Sequence, residues 1–194
     1  MNGPMTGPAT VPFVETARLH LRSWRDDDVV PFQAISSDPL VMATLGPLMD
    51  LAETRALIER CRALQARDGH CFWAMERRED QRLIGWCGVI RGSVGPIEGK
   101  AELGWRLASD CWGHGFASEA ARGALDWVFA NLPDDAAYAI TNVDNRRSRA
   151  VMERMGMRWQ PDLDFDHPRL TADDPLLRHV TYRLDRTDWP VPRR

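Results

Sequence analysis

A strand, a short glycine-containing turn and an alanine-rich helix follow one another between residues 100 and 132, and this segment limits the possible folds most. Residues 100–107 have the pattern of a β-strand with an interior glycine, Gly104, which is typical of a bulge or of a close approach by another group. From Ala117 to Leu132, apolar residues recur at steps of three and four, the spacing of an amphipathic helix. A strand that turns directly into a helix is typical of layered α/β folds.

The rest of the chain shows shorter patterns of the same two kinds. Further strands are predicted at 17–22, 71–75, 83–90, 138–141 and 180–184. Helices are predicted at about 26–35, 51–67 and 145–155. The stripe of the second helix that we expect to be buried consists of Leu51, Ile58, Cys61 and Leu64. The order of these elements predicts a mixed α/β, α+β-like fold with helices on both faces of a sheet.

Length and composition fit one ordinary globular domain. We place it at residues 14–190, after a flexible leader at residues 1–13 that is rich in Pro, Gly and Thr. A formal net charge of −3 argues against direct binding of nucleic acid. No apolar run approaches the ~20 residues of a membrane span. Because the cysteines and histidines lack metal-site spacing, we expect no metal and a cytoplasmic protein with reduced thiols.

The turn before the long helix has the composition of an anion-binding loop. Small residues at Gly113, Gly115, Ala117 and Ser118 let a ligand approach the main chain. The unpaired N–H groups and the positive dipole end of the following helix favour an anion such as a pyrophosphate. A nucleotide P-loop is excluded because no Gly-Lys-Ser/Thr ends the turn, and a dinucleotide fingerprint would need glycine at position 118. A tight turn without a ligand is the alternative.

Several motifs in order resemble the GNAT superfamily of N-acetyltransferases, particularly its RimJ/RimL-like branch. The family loop reads Arg or Gln, two residues, Gly, one residue, then Gly or Ala. Gly115 and Ala117 fill its last two positions, whereas Trp112 replaces the Arg or Gln. Residues 145–157 match the pattern Asn-x-x-Ser-x-x-apolar-x-Glu-x-x-Gly-apolar. With similar segments at 15–22 and 83–85, the resemblance spans about residues 15–189.

The resemblance implies a fold, a reaction and a coenzyme. The GNAT fold has a central, mostly antiparallel twisted sheet with a bulged, splayed central strand. The implied reaction transfers acetyl from acetyl-CoA to a primary amine by direct attack in a ternary complex, without an acyl-enzyme. The acceptor would be a ribosomal-protein N-terminus or a small-molecule amine. A GNAT-like module that binds coenzyme A without catalysis is the alternative, and a homodimer is a further expectation.

The resemblance also implies which residues contact the coenzyme. They lie on the central strand, on the loop and near the helix that begins at about residue 145: Leu103, Trp105, Leu107, Trp112, Gly113, His114, Gly115, Phe116, Ala117, Ser118, Asn142, Asn145, Ser148 and Arg149. Arg146, Arg147 and Arg149 would meet its 3′-phosphate. A solvated basic start of a helix explains the three arginines equally well. His114 would project outward and help to neutralise phosphate.

Glu102 and Ser148 are the catalytic candidates. Glu102 stands on an otherwise apolar strand, where a carboxylate gains the raised pKa that suits a general base. Exposure to solvent or pairing with an arginine is the alternative for this residue. The resemblance suggests that Ser148 donates a hydrogen bond to the departing sulfur. It also suggests that Asn145 contacts the pantetheine arm, although plain helix capping explains Asn145 almost as well.

The acceptor pocket is expected in the variable segments 24–50, 92–99 and 162–177. Its candidate lining, which would equally suit a core, is Trp24, Met42, Trp73, Glu102, Phe165 and His167. Two other chemistries are alternatives to acetyl transfer by direct attack. One is a covalent relay from Cys111 to His114, and the other is a nicotinamide-binding oxidoreductase that uses the glycine loop.

Overall fold

A nine-stranded sheet runs through residues 12–190, which are the residues that this computed structural model describes. In chain order the elements are β1 (Val14–Glu15), β2 (Leu19–Arg22), α1 (Val29–Ser36), α2 (Pro39–Met42), α3 (Leu51–Asp68), β3 (Phe72–Arg77), β4 (Leu83–Arg91), β5 (Ala101–Leu107), α4 (Phe116–Asn131), β6 (Ala136–Asn142), α5 (Arg146–Arg154), β7 (Arg158–Trp159), β8 (Phe165–Asp166) and β9 (Arg178–Asp185). The sheet order is β1-β2-β3-β4-β5-β6-β9-β7, and β8 pairs with β9.

Strands β5 and β6 are the parallel pair of this otherwise antiparallel sheet, and they diverge early. They pair only at Ala101 with Ala137 and at Glu102 with Tyr138. On its other side, β5 pairs with β4 along its whole length. A parallel pair needs a crossover connection, which α4 supplies. The mixed fold and the splayed central strand predicted from sequence are confirmed, and the splay leaves one side of the β5 backbone open.

The predicted bulge at Gly104 is wrong, because the ladder between β4 and β5 runs without a shift of register through this residue. Glycine is needed there for close packing. A Cβ atom at position 104 would lie 2.9 Å from the ring of Phe72 and 3.1 Å from that of Trp86. A shift of register does occur in the pairing of β3 with β4, between Met75 and Glu76.

The helices cover the sheet from both sides, as predicted. α4 packs on one face, where Trp127 meets Trp73 edge to face with ring centroids 5.1 Å apart. Ala120, Ala121 and Ala124 of α4 are fully buried and let the helix approach the sheet closely. α1 lies over the opposite face, where Phe32 approaches the guanidinium of Arg106 on β5.

A buried ion network fixes the start of α1. The Arg22 guanidinium on β2 donates to Asp28, which directly precedes α1, at 2.8 and 2.9 Å, and to Glu76 on β3 at 2.7 Å. All three side chains are buried, so each charge has to have a partner. The network therefore ties α1 to two neighbouring strands.

The described chain is already packed on the domain at Phe13. The Phe13 amide donates to the carbonyl of Leu21 at 2.8 Å, and its ring stacks on Trp73 at 5.4 Å. The rest of the predicted leader, residues 1–11, lies outside the described residues. Within residues 12–190, no helix is both long enough and apolar enough to cross a membrane.

Helix α3 allows a test of the core. Ile58 is fully buried, whereas Leu51, which we predicted to be buried, is 46% exposed because it begins the helix next to the loop. Ile58→Ala is expected to lower the free energy of unfolding by about 2–5 kcal/mol, and Leu51→Ala by less than about 0.5 kcal/mol. Urea denaturation measures both, and equal losses would contradict this helix orientation.

Candidate active site

A groove of about 630 Å³ opens between the end of β5, the turn before α4 and the first turns of α5. Its walls include Trp105 and Leu107 from β5, Ser118 from α4 and Ser148 from α5. The end of β5, the turn that follows it and the more distant helix α5 therefore meet at one concave site. This is the form typical of small-molecule and cofactor sites.

The turn at one end of the groove presents backbone amides. Gly113 and Gly115 have φ values of +80° and +81°, a left-handed conformation that favours glycine. The Glu119 amide makes the first hydrogen bond of α4, to the carbonyl of Gly115 at 3.0 Å. The N–H groups of residues 116–118 therefore precede the helical hydrogen-bond pattern and form a positive helix end. Phe116, Ala117 and Ser118 line the groove, so this end suits an anion.

A carboxylate clamp holds the turn against the sheet. Glu119 accepts hydrogen bonds from the Thr16 hydroxyl at 2.6 Å and from the Arg18 amide at 2.8 Å. Arg18 also donates to the carbonyl of His114 at 3.0 Å. Burial opposes ionisation of Glu119, but these hydrogen bonds and the Arg18 charge leave its pKa below its usual range. The clamp rigidifies the anion-binding end before any ligand arrives.

Three arginines of α5 line the groove: Arg146, Arg147 and Arg154. The Arg147 guanidinium lies 4.4 Å from the centre of the Trp112 ring, and Arg154 donates to the Ser118 hydroxyl at 2.6 Å. Sequence reasoning missed Arg154, although a spacing of seven residues places it on the same helix face as Arg147. Arg149 is turned away, since it donates to the Tyr182 hydroxyl and to the carbonyl of Val143, both at 3.1 Å. The expected contact of Arg149 with the coenzyme has no support here.

The two asparagines near the groove have different positions. Asn145 lines the groove and caps α5, since its side chain accepts from the Ser148 amide at 3.1 Å. Asn142 is buried outside the groove. Its amide donates to the carbonyl of Arg178 at 3.2 Å, and its oxygen accepts from the Asp144 amide. The structure therefore gives Asn142 a role in holding loops, and its predicted coenzyme contact has no support.

Glu102 lies at the closed end of the splay, where β5 and β6 make their last pair. It lines a cavity of about 120 Å³ with Phe72, Trp86 and Met152. Within residues 12–190, no hydrogen bond or ion pair satisfies its carboxylate. Loss of solvation raises its pKa to about 7. The cavity shares the wall residues Leu45 and Trp105 with the groove, so the carboxylate stands beside the groove rather than in bulk solvent.

Several predicted acceptor residues belong to the core. Trp24, Met42 and Trp73 are buried, and the Trp24 indole donates to the carbonyl of Phe72 at 2.8 Å. Half-buried Phe165 packs on Gly95 and stacks against His167, away from the groove. Another cavity, of about 600 Å³, lies between loops 43–47 and 170–176, within two of the three segments predicted to be variable.

The Cys111–His114 pair does not have the geometry of a relay. The Cys111 thiol is buried, and desolvation together with the neighbouring Asp110 raises its pKa. His114 is exposed outside the groove, and its ring lies 6.0 Å from that of Phe116. A buried, protonated thiol beside an exposed imidazole is a poor nucleophile. The predicted coenzyme contact of His114 is not supported by its position either.

Comparison with known proteins defines the class to which this fold and site belong. Residues 18–158 match the family model described as "Acetyltransferase (GNAT) domain". The chain belongs to this family, and the resemblance found in its sequence is confirmed. It is therefore an acetyltransferase of the kind that carries out acetyl-CoA-dependent N-acetylation.

Individual relatives agree with this assignment. The uncharacterized N-acetyltransferase p20 of Bacillus licheniformis is 30% identical over 145 residues, which are 74% of this chain and 80% of p20. An acetyltransferase structure from Agrobacterium tumefaciens str. C58 has a TM-score of 0.72 and 27% identity, and covers 94% of this chain and 99% of its own. Mycobacterium smegmatis RimJ, solved with CoA-disulfide, has a TM-score of 0.71 and 23% identity, with coverages of 95% and 88%.

The environment of Glu102 predicts a measurable cost to stability. Its pKa of about 7 in the folded protein exceeds the ~4.3 of an unfolded glutamate. The fold therefore loses stability as the pH rises between these values, and the full penalty applies above about pH 7. Glu102→Gln is expected to be more stable than the parent by about 1–3 kcal/mol near pH 8, and by less near pH 5.

Chemical denaturation at both pH values measures this difference. Glu98→Gln is the matched control, since Glu98 is exposed in the loop before β5. An advantage of the Glu102 variant that does not grow with pH would show that the carboxylate is solvated.

Proposed function

We propose that the chain transfers the acetyl group of acetyl-CoA to a primary amine, on a protein N-terminus or a small molecule, by direct attack in a ternary complex. The observation that carries the proposal is the position of Glu102, a carboxylate at the closed end of the splay beside the groove for which residues 12–190 supply no partner. A module that only binds coenzyme A has no need of such a carboxylate, because its burial costs stability.

The residues at the turn fit the phosphates of coenzyme A. The amides of residues 116–118 would hold the pyrophosphate, with Arg147 and Arg154 adding positive charge. From Leu103 to Leu107, the β6 side of β5 offers backbone N–H and C=O groups over roughly 13 Å, at ~3.3 Å per residue. These groups would pair with the amides of the pantetheine arm. Bound there, acetyl-CoA supplies an acetyl group activated as a thioester.

Glu102 would remove the proton that keeps the amine from reacting. An α-amine has a pKa near ~8 and a lysine amine near ~10.4, so both are mainly protonated at neutral pH. A base whose pKa is about 7 is about half ionised at neutral pH and can accept a proton, directly or through one water. The aromatic wall of Phe72 and Trp86 excludes competing water from the carboxylate.

Ser148 would assist the departing thiolate. It stands in the first turn of α5, after the Asn145 cap, and lines the groove. Its hydroxyl can donate a hydrogen bond to the sulfur, and the positive end of α5 stabilises negative charge there. The name of the p20 protein, an N-acetyltransferase, and the form of coenzyme A with which RimJ was solved both support the transfer of an acetyl group from acetyl-CoA.

The test is acetyl-CoA turnover against peptides with free N-termini, polyamines and small amines. For the parent protein, kcat/KM is expected to rise about tenfold per pH unit below pH ~7 and then to level off. Glu102→Gln is expected to lower kcat by about 10²- to 10⁴-fold and to remove this dependence, because the base is lost.

Calorimetry with coenzyme A and the Glu98→Gln control distinguish loss of the base from loss of coenzyme binding. Affinity for the coenzyme should change little in the Glu102 variant, and Glu98→Gln should keep full activity. Tight coenzyme binding without turnover of any amine would support the non-catalytic module instead. An unchanged rate in the Glu102 variant would show that another group is the base.

A further inference from the structure

Arg106 is a charged side chain of the groove that the reaction proposed above does not use. It lies on the same face of β5 as Glu102, two residues beyond Gly104, beneath α1. Its guanidinium donates to the Ser36 hydroxyl at 3.1 Å and lies 3.6 Å from the sulfur of Met49. None of the ion pairs found in residues 12–190 includes it.

The contrast with Arg22 shows what is missing at Arg106. Arg22 is buried and reaches two carboxylates, Asp28 and Glu76. In Arg106 the buried Nε has no hydrogen-bond partner in the described chain. Desolvation lowers the pKa of Arg106 to about 10, and the negative charge of a Cys61 thiolate would offset only part of this effect. The side chain still carries its charge at neutral pH, so it is a desolvated cation for which residues 12–190 supply no anion.

The position of Arg106 in the groove indicates where that anion would come from. Arg106 lines the groove together with Val41 of α2 and Leu45 in the loop after it. The amides of residues 116–118 and the arginines of α5 already supply the positive groups at the other end. The Cα atoms of Glu102 and Arg106 are about 13 Å apart, at ~3.3 Å per strand residue. If both side chains point toward the same ligand, the Glu102 carboxylate and the Arg106 guanidinium can contact one small acceptor.

We propose that Arg106 determines acceptor specificity by binding a carboxylate of the acceptor. This inference rests on the function proposed above, and it defines the acceptor as a primary amine that also carries a carboxylate. The carboxylate belongs either to a free amino acid or to an acidic side chain near a peptide N-terminus. A guanidinium can pair with a carboxylate through two parallel hydrogen bonds, and because the Nε of Arg106 is fully buried, its terminal Nη1 and Nη2 would donate them.

The test uses matched acceptors that differ only in this charge. The pairs are glutamate and its diamide, lysine and cadaverine, and the amidated peptides Ser-Asp-Ala-Ala and Ser-Asn-Ala-Ala. The parent protein is expected to prefer the carboxylate member of at least one pair by about 10- to 100-fold in kcat/KM, mainly through KM. The pair that shows the preference distinguishes a free amino acid from a peptide.

Arg106→Gln is expected to bring this preference close to one, and Arg106→Lys to restore it in part, because lysine keeps the charge without the fork. Arg158→Gln is the control for loss of one positive charge, since Arg158 lies on the exposed strand β7 and pairs with Asp188. A purely structural role of Arg106 would lower the rates for both members of a pair equally. That result, or a parent protein without any preference, would overturn the proposal.

Binding of products separates this inference from the proposed function. N-acetylglutamate and its diamide are titrated into the protein loaded with coenzyme A. Preference for the carboxylate that depends on Arg106, in the absence of turnover, would support the inference and contradict amine acetylation. Turnover of amines without a preference for the carboxylate would support the proposed function and contradict this inference. A loss confined to coenzyme affinity in Arg106→Gln would assign the guanidinium to the coenzyme and overturn the proposal.

Discussion

The site depends on the early separation of β5 from β6. The two strands share only two residue pairs, and beyond Glu102 the backbone of β5 has a strand neighbour on one side alone. Backbone N–H and C=O groups are strong hydrogen-bonding groups and are costly to leave unpaired when buried. An open strand edge that faces a groove is therefore a preformed template for a ligand with amide groups. The crossover through α4 holds the separation open and places the anion-binding turn at its end.

The alternation of side chains along β5 assigns its two faces to different tasks. Leu103 and Leu107 are buried and hold the strand in the core. Glu102, Gly104 and Arg106 lie on the opposite face, toward the acceptor side of the groove. Because Gly104 has no side chain, Phe72 and Trp86 can stack flat over it, with ring centroids 4.1 Å apart. One glycine thus allows an apolar wall that desolvates the charges on either side of it.

Features that depend on local sequence could be predicted, and features that depend on distant packing could not. The turn at Gly113 and Gly115, helix α4 and the Asn145 cap follow from residues a few positions apart. The coenzyme contact expected of Arg149 has no support, because the hydrogen-bond partners of this arginine are on β9 and at Val143, which a motif does not reveal. Trp73 was proposed for a pocket, but α4 covers it. At Gly104 a bulge was predicted, but glycine is required there because the rings of Phe72 and Trp86, on other strands, pack against this position.

The directions of two pKa shifts show that Glu102 and Arg106 do not neutralise each other. When a carboxylate and a guanidinium pair, the pKa of the carboxyl group falls and the pKa of the guanidinium rises. Asp80 is an example, since hydrogen bonds from Arg77 lower its pKa to about 2. On β5 the shifts run the other way, since desolvation raises the pKa of Glu102 to about 7 and lowers that of Arg106 to about 10. Each group therefore loses water without gaining the other as a partner. Two charges of opposite sign on one strand face, neither of which has an ionic partner within residues 12–190, are complementary to a ligand that carries both an amine and an anion.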